Sequence, residues 1–347
     1  MRRRGRGSGP CHFGRLRAAV AIIGVVVLTG IAGCGSSNPT LVLYNGQHAQ
    51  LTASLVQAFE AQTGIQVAVR TGDGVVLADQ ILQEGRSTPA DLYFTENSPE
   101  LMLLEQKGLL APLPPSITTG VPAADSSPQG DWVGAALRVS ALAVNTGLLG
   151  NQPLPASILD LAGPGWKGKV ALAPTDSDFL PLVGAVIAEY GAPRAELWLR
   201  GLRANGELFQ DDEAVAAAVN AGQVAVGIIN QYYWYRLRLE VGASRMASSL
   251  YYFPHHDVGS MVNVSGISIL SASNHRALAE RFVAFVVSAE GQRILAAGDD
   301  FEYPVLPSVP AHAGMPPLAS IAGVRINVVT LGDDLPASRL VQLVGLT

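Results

Sequence analysis

The stretch WVGAALRVSALAVN, residues 132–145, is an apolar run that predicts one long strand. A second run, MVNVSGISIL at residues 261–270, predicts another long strand. A whole region of alternating strand and helix patterns separates them. We therefore predict an α/β protein with two lobes, crossed by two hinge strands. Because ligands of open α/β sheets bind at the carboxyl ends of strands, side chains that follow strands are the candidates for a site in the cleft between the lobes.

The region before residue 132 begins with a strand pattern at residues 40–44 and continues with a helical pattern. Leu51, Leu55 and Phe59 share one face of that helix, and Gly64 is the kind of residue that ends it. Further strands are predicted at residues 65–69 and 91–95, with a helix at 75–84 between them. This alternation predicts a parallel sheet that is covered by helices.

The region between the two long strands repeats the alternation, and helices follow the second one. Strands are predicted at residues 169–173 and 224–229, and helices from about residue 180 and at residues 214–221, 277–287 and 289–296. We assign residues 40–137 and 265–313 to an N-lobe, and residues 138–264 and 314–347 to a C-lobe.

The first 33 residues have the pattern of an export signal that the mature protein loses. Six arginines and no acidic residue accompany an apolar run at residues 18–33, which is shorter than the roughly 20 residues of a membrane-spanning helix. The run ends in IAGC, which resembles a bacterial lipobox in which Cys34 becomes the acylated N-terminus. Residues 34–39 then form a tether. A plain signal peptide or an uncleaved anchor is the alternative.

Charge and cysteine content exclude several classes of protein. Without the leader, 17 basic residues stand against 28 acidic ones, a net charge of −11 that argues against nucleic acid as a partner. The two cysteines are Cys11, in the leader, and Cys34. The mature domain therefore has no disulfide, zinc-thiolate site or cysteine nucleophile.

Two adjacent tyrosines occur in NQYYWYRL, residues 230–237. Neighbouring side chains point to opposite faces of a strand and diverge by about 100° on a helix. Since Tyr232 and Tyr233 follow a predicted strand, we expect a backbone bend to bring both phenols into the cleft. His48 follows the first strand and Glu96 follows the third, so all four side chains are expected to converge.

This set of side chains suits a hard trivalent cation. A phenol has an ordinary pKa of about 10 and rarely ligates metals, but Fe³⁺ can displace its proton and favours anionic oxygen more than Zn²⁺ or Cu²⁺ does. Each residue also fits a structural role: His48 in a turn, Glu96 at a helix start, and the tyrosines as a packing wedge. From the residues alone, the prediction stops at an exported, two-lobed α/β binding protein.

The chain resembles the bacterial ferric-ion-binding proteins, which are the substrate-binding proteins of iron(III) ABC transporters. The similarity runs from residue 41 nearly to the C-terminus and is most specific in LYNGQH (43–48), EGRSTPADLYFTE (84–96) and AVNAGQVAVGIINQYYWYRL (218–237). It implies a type II periplasmic-binding-protein fold whose cleft closes around the metal. It also implies that His48, Glu96, Tyr232 and Tyr233 are the iron ligands, and that a small anion or water completes the coordination.

The sequence departs from this family where the resemblance implies an anion site. Family members place small residues and backbone amides at a helix start around a phosphate, whereas this chain has Asp176, Ser177 and Asp178 there. Two alternatives stay open. Either Ser177 or Asp178 caps the helix, or a carboxylate takes the place of the anion beside the metal.

Four further positions belong to the implied anion site or its surroundings. Asp212 and Asn97 stand where the family often has Asn and Gln, while Asn230 is retained and Arg138 matches an arginine that some relatives use near carbonate. Because carboxylates repel phosphate, we favour carbonate over phosphate as the synergistic anion.

The resemblance implies a receptor rather than an enzyme. It would be a monomer, held at the membrane by its N-terminal lipid, that carries Fe³⁺ to the permease and ATPase of an ABC importer. One alternative is a receptor for an organic or anionic ligand that the tyrosine pair stacks on or hydrogen-bonds. Another is an exported metal-dependent oxidase or hydrolase, although the sequence contains no further acid/base set.

Overall fold

The computed structural model describes residues 40–321 and 323–346, so the predicted leader, tether and lipidation site at Cys34 lie outside the described residues. Within that part of the chain, strands of mixed direction form two sheets. The strands are β1 (Leu41–Gly46), β2 (Val67–Thr71), β3 (Leu92–Thr95), β4 (Leu110–Ala111), β5 (Trp132–Val144), β6 (Val170–Leu172), β7 (Gly206–Leu208), β8 (Val226–Asn230), β9 (Ser249–Tyr251), β10 (Met261–Leu270), β11 (Tyr303–Pro304) and β12 (Val324–Arg325).

Helices cover both sheets. They are α1 (Ala49–Thr63), α2 (Gly74–Glu84), α3 (Ser98–Gln106), α4 (Pro115–Thr118), α5 (Thr146–Leu149), α6 (Phe179–Tyr190), α7 (Ala192–Asn205), α8 (Asp212–Asn220), α9 (Gln231–Val241), α10 (Arg276–Val286), α11 (Ala289–Ala297), α12 (Val328–Leu331) and α13 (Leu335–Val344). Short 3₁₀ turns occur at Gly85–Ser87, Ala123–Asp125, Ile158–Ala162, Pro164–Trp166, Ala243–Arg245, Val258–Ser260 and Leu318–Ser320.

Strand β5 takes part in both sheets. The first sheet has the order β2-β1-β3-β10-β5 and the second has the order β5-β8-β6-β7. The short strands β4 and β12 pair with β10, and β9 and β11 pair with β5. The groups β1 to β3 and β6 to β8 are parallel, as the strand and helix alternation predicts, whereas β5 and β10 run antiparallel to their neighbours in the sheet order.

The register of β5 shows where the chain passes between the sheets. Its first part pairs with β10, ending at Arg138 opposite Asn263 and Val139 opposite Val262. Its second part pairs with β8, beginning at Ser140 opposite Asn230. Arg138 and Asn230, two residues of the predicted site region, therefore lie beside this transition.

Two glycines allow the start of α2 to pack closely against the ends of β1 and β3. A Cβ atom on Gly46 would lie 2.6 Å from the Cα atom of Gly74, and one on Gly74 would lie 2.7 Å from Oγ1 of Thr95. A larger residue at either position would push the start of α2 away from the sheet. The parallel pairing of β1 with β3, with Gly46 opposite Thr95, brings the residues that follow both strands, which include His48 and Glu96, to one edge of the first sheet.

The buried apolar residues form two clusters. The first includes Phe59, Trp132 and Phe282 around the first sheet and extends to Val215 on α8 and Ile229 on β8. The second includes Trp198 on α7 and Val341 on the C-terminal helix α13. This division agrees with a two-lobed fold, while the residue bounds that we give for the lobes stay a prediction. Among the described helices, none combines the length and apolar character that a membrane span needs.

Candidate metal centre

The structure brings the four predicted ligands together. His48 directly precedes α1, Glu96 directly follows β3, and Tyr232 and Tyr233 lie in the first turn of α9. The chain changes direction where the bend was expected, because β8 ends at Asn230 and α9 begins at the next residue. The two phenols converge although their side chains leave a helix in different directions.

The buried side chain of Gln231 holds the first turn of α9 in place. Its Oε1 atom accepts a hydrogen bond of 2.6 Å from the amide of Val139, and its Nε2 atom donates one of 3.0 Å to the carbonyl of Phe301. These bonds fasten the tyrosine helix to β5 and to the loop around residue 301. Gln231 was not among the predicted site residues, because its position next to the two tyrosines was the only sequence feature that pointed to it.

The distances between the ligand atoms are short. The Nε2 atom of His48 lies 3.2 Å from Oε1 of Glu96, and the phenol oxygen of Tyr232 lies 3.4 Å from Oε2 of the same carboxylate. The ring of Tyr232 lies 4.2 Å from the ring of Tyr233 and 4.7 Å from the imidazole of His48, measured between centroids. Tyr232 is fully buried, and Tyr233 nearly so.

A fifth polar side chain, Asp178, lies between the two tyrosines. Its Oδ2 atom accepts hydrogen bonds from Tyr232 at 2.5 Å and from Tyr233 at 3.2 Å. Asp178 directly precedes α6 but makes no side-chain hydrogen bond to the helix, so it is not a helix cap. Its neighbour Ser177 lines the open side of the cleft.

The other two carboxylates of the predicted anion site accept hydrogen bonds from backbone amides. Asp176 accepts from the amides of Asp178 and Asp212, each at 3.1 Å. Asp212 accepts from the amide of Asn230 at 3.3 Å, and the side chain of Asn230 accepts a bond of 3.4 Å from Ser140. The amides that an external anion would use are therefore occupied by the protein itself.

Arg138 and Asn97 are buried and bonded to other residues. Nη2 of Arg138 lies 2.5 Å from Oε1 of Glu302, and Nη1 donates to the carbonyl of Glu96. The guanidinium also lies over the ring of Tyr232, 5.7 Å from its centroid. Asn97 accepts a hydrogen bond of 2.5 Å from Asn263 on β10, so its side chain supports the first sheet and not the phenols.

Two acidic residues near His48 were missed by the sequence analysis. Nδ1 of His48 lies 3.6 Å from Oδ1 of Asp300 and 3.7 Å from Oε1 of Glu302. These carboxylates lie on the Nδ1 side of the imidazole without a hydrogen bond to it, while Nε2 lies beside Glu96. Their sequence context, DDFEYP at residues 299–304, has no spacing that predicts a site.

Burial decides the protonation of the site. It lowers the pKa of His48 well below its ordinary value, with Arg138 and Arg236 adding to the effect, so the imidazole is neutral and free to bind a metal. Burial and then the charge of Asp178 raise the pKa of both Tyr232 and Tyr233 well above the ordinary value. Without a cation, both phenols are therefore protonated and donate to Asp178.

The donor set fits a hard cation and depends on the phenols. Histidine, cysteine and carboxylate side chains alone form no three-membered metal cluster in residues 40–321 and 323–346. Adding the phenols of Tyr232 and Tyr233 gives one imidazole nitrogen, carboxylate oxygens and two oxygens that become anionic when a cation displaces their protons. Anionic oxygen is what a hard trivalent cation prefers.

A cavity of about 340 Å³ leads from solvent to Glu96 and Tyr233. Residues at or just after the ends of strands in both sheets line it. Four of the lining residues are acidic: Asp73, Glu96, Asp176 and Asp211. Among the described residues, no Lys or Arg lines this cavity. Such a mouth attracts cations and repels anions.

Asp176 gives the metal-free protein a testable dependence on pH. Burial, and next the charge of Asp178, raise the pKa of Asp176 from its ordinary 3.8 to about 7. Between these values the folded state holds a proton that the unfolded chain has lost, so this contribution to stability falls as the pH rises. We expect Asp176→Asn to reduce the loss of stability between about pH 4 and about pH 7, measured by thermal denaturation. Exposed Asp79→Asn is the control, and an unchanged pH slope in Asp176→Asn would contradict the assignment.

Comparison with known proteins identifies the relatives of this fold and site. Residues 40–298 match the family model of bacterial extracellular solute-binding proteins. The Fe(3+)-binding periplasmic protein of Serratia marcescens is 34% identical over 302 residues, which cover 87% of this chain and 89% of the relative.

Two solved structures have the same fold over nearly their whole length. Iron-bound HitA of Pseudomonas aeruginosa is 39% identical, with a TM-score of 0.84 over 88% of this chain and 99% of that one. The Trichodesmium protein IdiA, also named FutA, in complex with iron and citrate, is 26% identical, with a TM-score of 0.76 over 89% and 100%. The chain therefore belongs to the bacterial extracellular solute-binding proteins and, within them, to the ferric-ion-binding proteins of iron(III) ABC transporters.

Proposed function

We propose that this protein is a lipid-anchored receptor that captures ferric iron outside the cytoplasmic membrane and delivers it to the permease of an ABC importer. His48, Glu96, Tyr232 and Tyr233 are its iron ligands. The observation that carries this proposal is the convergence of an imidazole, a carboxylate and two buried phenols from three separate parts of the chain. Iron bound to related proteins, such as HitA of Pseudomonas aeruginosa, supports it.

Selectivity for Fe³⁺ follows from the cost of ionising the phenols. Their pKa is raised by burial, so only a cation of high charge can displace both protons and form strong bonds to the resulting phenolates. A divalent ion gains less from each phenolate and meets the same cost of deprotonation. Release then requires reprotonation, reduction of the iron, or opening of the cleft by the permease.

The two lobes, residues 40–137 with 265–313 and residues 138–264 with 314–347, close around the ion. The acidic mouth favours free or weakly complexed iron as the cargo, because an anionic chelate meets four acidic residues on entry. The same acidic residues repel an anionic organic ligand. A ferric citrate complex would need to lose its chelator first; the Trichodesmium protein was solved with iron and citrate ligands.

A titration of the purified protein with a ferric salt tests the proposal. Phenolate ligands give ferric iron a visible charge-transfer band, and the other side chains of the site do not. We expect a band that saturates at one equivalent of iron and is absent with Zn²⁺. Absence of a band under every anion condition would refute the ferric site.

The lipid anchor makes a separate prediction about Cys34. Replacing Cys34 by Ala removes the atom that carries the lipid, so the protein should move from the membrane fraction to the soluble fraction of the cell. Cys11→Ala is the matched control, because it changes the other cysteine of the chain, which lies in the predicted leader. A Cys34→Ala protein that stays with the membrane would favour an uncleaved anchor.

A further inference from the structure

Asp178 has a role that helix capping does not explain. It is 6% exposed, and one of its carboxylate oxygens bonds to both tyrosines. The other oxygen, Oδ1, is buried and has no hydrogen-bond partner among the described residues. A buried carboxylate oxygen without a partner is costly, so Oδ1 is a place where a water molecule or an ion can bind.

The distances around Asp178 match the edges of a single coordination shell. Oxygen ligands about 2.0 Å from one ion in octahedral geometry lie roughly 2.8 Å from each other. Oδ2 of Asp178 lies 2.5 Å from the phenol oxygen of Tyr232 and 3.2 Å from that of Tyr233. Oε2 of Glu96 lies 3.4 Å from the phenol oxygen of Tyr232, and Oε1 of Glu96 lies 3.2 Å from Nε2 of His48. An ion that bonds both phenolates is therefore within reach of Asp178.

The surroundings leave little opportunity for an external anion. The amides of Asp178, Asp212 and Asn230 already donate to protein carboxylates. The cavity behind Asp178, lined also by Ser140 and Asp212, measures about 10 Å³, enough for roughly one water molecule. Of the Arg138 nitrogens, only Nε has no hydrogen-bond partner among the described residues. Because this N–H could donate to a carbonate ion, the experiment below includes added carbonate.

We propose that Asp178 is a fifth iron ligand that replaces the synergistic anion, so that the protein holds ferric iron without carbonate or phosphate. This inference rests on the proposed ferric function. The carboxylate is part of the folded chain and costs no separate binding event, so iron capture becomes independent of the anions available outside the cell. On metal binding, the two phenols release their protons to solvent, and Asp178 exchanges two hydrogen bonds for one bond to the ion.

The test uses the protein purified from the cells that export it, loaded with ferric nitrilotriacetate and then freed of chelator in buffer without carbonate, phosphate or citrate. Bound iron is measured by the visible band, and native mass spectrometry measures whether an anion accompanies it. We expect the wild type to keep one iron with no anion mass. Asp178→Ala should hold iron roughly 100-fold more weakly in this buffer, and added formate or carbonate should restore binding by filling the vacated site.

Asp211→Asn is the matched control, because it removes a negative charge from the same acidic mouth at a residue that caps α8 instead of contacting the phenols. Asp178→Asn keeps the shape of the side chain and guards against misfolding, and it should weaken iron binding without rescue by formate. The proposal is overturned if the wild type requires an added anion or carries its mass, or if Asp178→Ala holds iron as tightly as the wild type. No band in the wild type under any anion condition would instead refute the ferric function itself, and the Asp178 proposal with it.

Discussion

Replacing both Tyr232 and Tyr233 by Phe is expected to abolish the charge-transfer band and to lower the affinity for ferric iron by more than about 100-fold. The substitution removes the two oxygens that become anionic on metal binding and keeps the rings, which pack 4.2 Å from each other. The single substitutions should each retain a weaker and shifted band, since one phenolate remains. The measurement is an iron titration followed at visible wavelengths.

Stability must be measured beside binding, because the phenols also serve the metal-free protein. Both donate to Asp178, so the double variant leaves that buried carboxylate without these partners, and we expect a loss of roughly 1–3 kcal/mol per lost bond. Tyr235→Phe is the matched control, since Tyr235 lies on the same helix and stacks on Phe301. A double variant that is folded and still shows the full band would refute the ligand assignment.

Replacing Arg138 by Met is expected to destabilise the protein by about 3–5 kcal/mol near pH 8. Arg138 and Glu302 are both fully buried and form an ion pair of 2.5 Å, so the substitution leaves a buried carboxylate uncompensated. Urea denaturation of the metal-free protein provides the measurement. Replacing exposed Arg200, which pairs with Glu196 on the surface of α7, should cost only about 0–1 kcal/mol.

The effect of Arg138→Met should depend on pH in a defined direction. Burial raises the pKa of Glu302 to about 7, and Arg138 opposes that rise, so its removal raises the pKa further. Well below pH 7, the carboxyl group of Glu302 is protonated in both the wild type and the variant, and the difference in stability between them is small. Above pH 7, Glu302 of the wild type is ionised and paired with Arg138, whereas Glu302 of the variant must either keep its proton or be buried as an unpaired charge. The difference in stability between the two proteins therefore grows as the pH rises. The additional substitution Glu302→Gln should recover most of the loss at pH 8, and a failure to recover it would assign the loss to packing.

The order of helices and strands could be predicted from sequence because it depends on local patterns. The apolar run at residues 132–145 and the helix that ends at Gly64 both have their predicted form, and Gly64 has the left-handed backbone of a helix end. The antiparallel direction of β5 and β10 could not be read in the same way. A strand buried on both faces has the same apolar pattern in either direction, so only the pairing of distant residues determines it.

The candidate ligands could be predicted because each one follows a strand pattern within a few residues, as His48 and Glu96 do. What lies between them could not. Asp178 is separated from Tyr232 by 54 residues, and a carboxylate before a helix usually indicates a cap. The contact between these residues depends on how α6 and α9 are placed at the ends of β6 and β8, and no local pattern records that placement.

By itself, the sequence determined the α/β class, the two long strands and the ferric-binding family of this protein, since periodicity and short motifs are properties of neighbouring residues. Only the tertiary structure decided which carboxylates accept hydrogen bonds from backbone amides and which one bonds to the phenols. It also decided that Arg138 forms its ion pair with Glu302. The physical reason is that hydrogen bonds and ion pairs form between groups a few ångströms apart in space, and their separation along the chain carries no information about that distance.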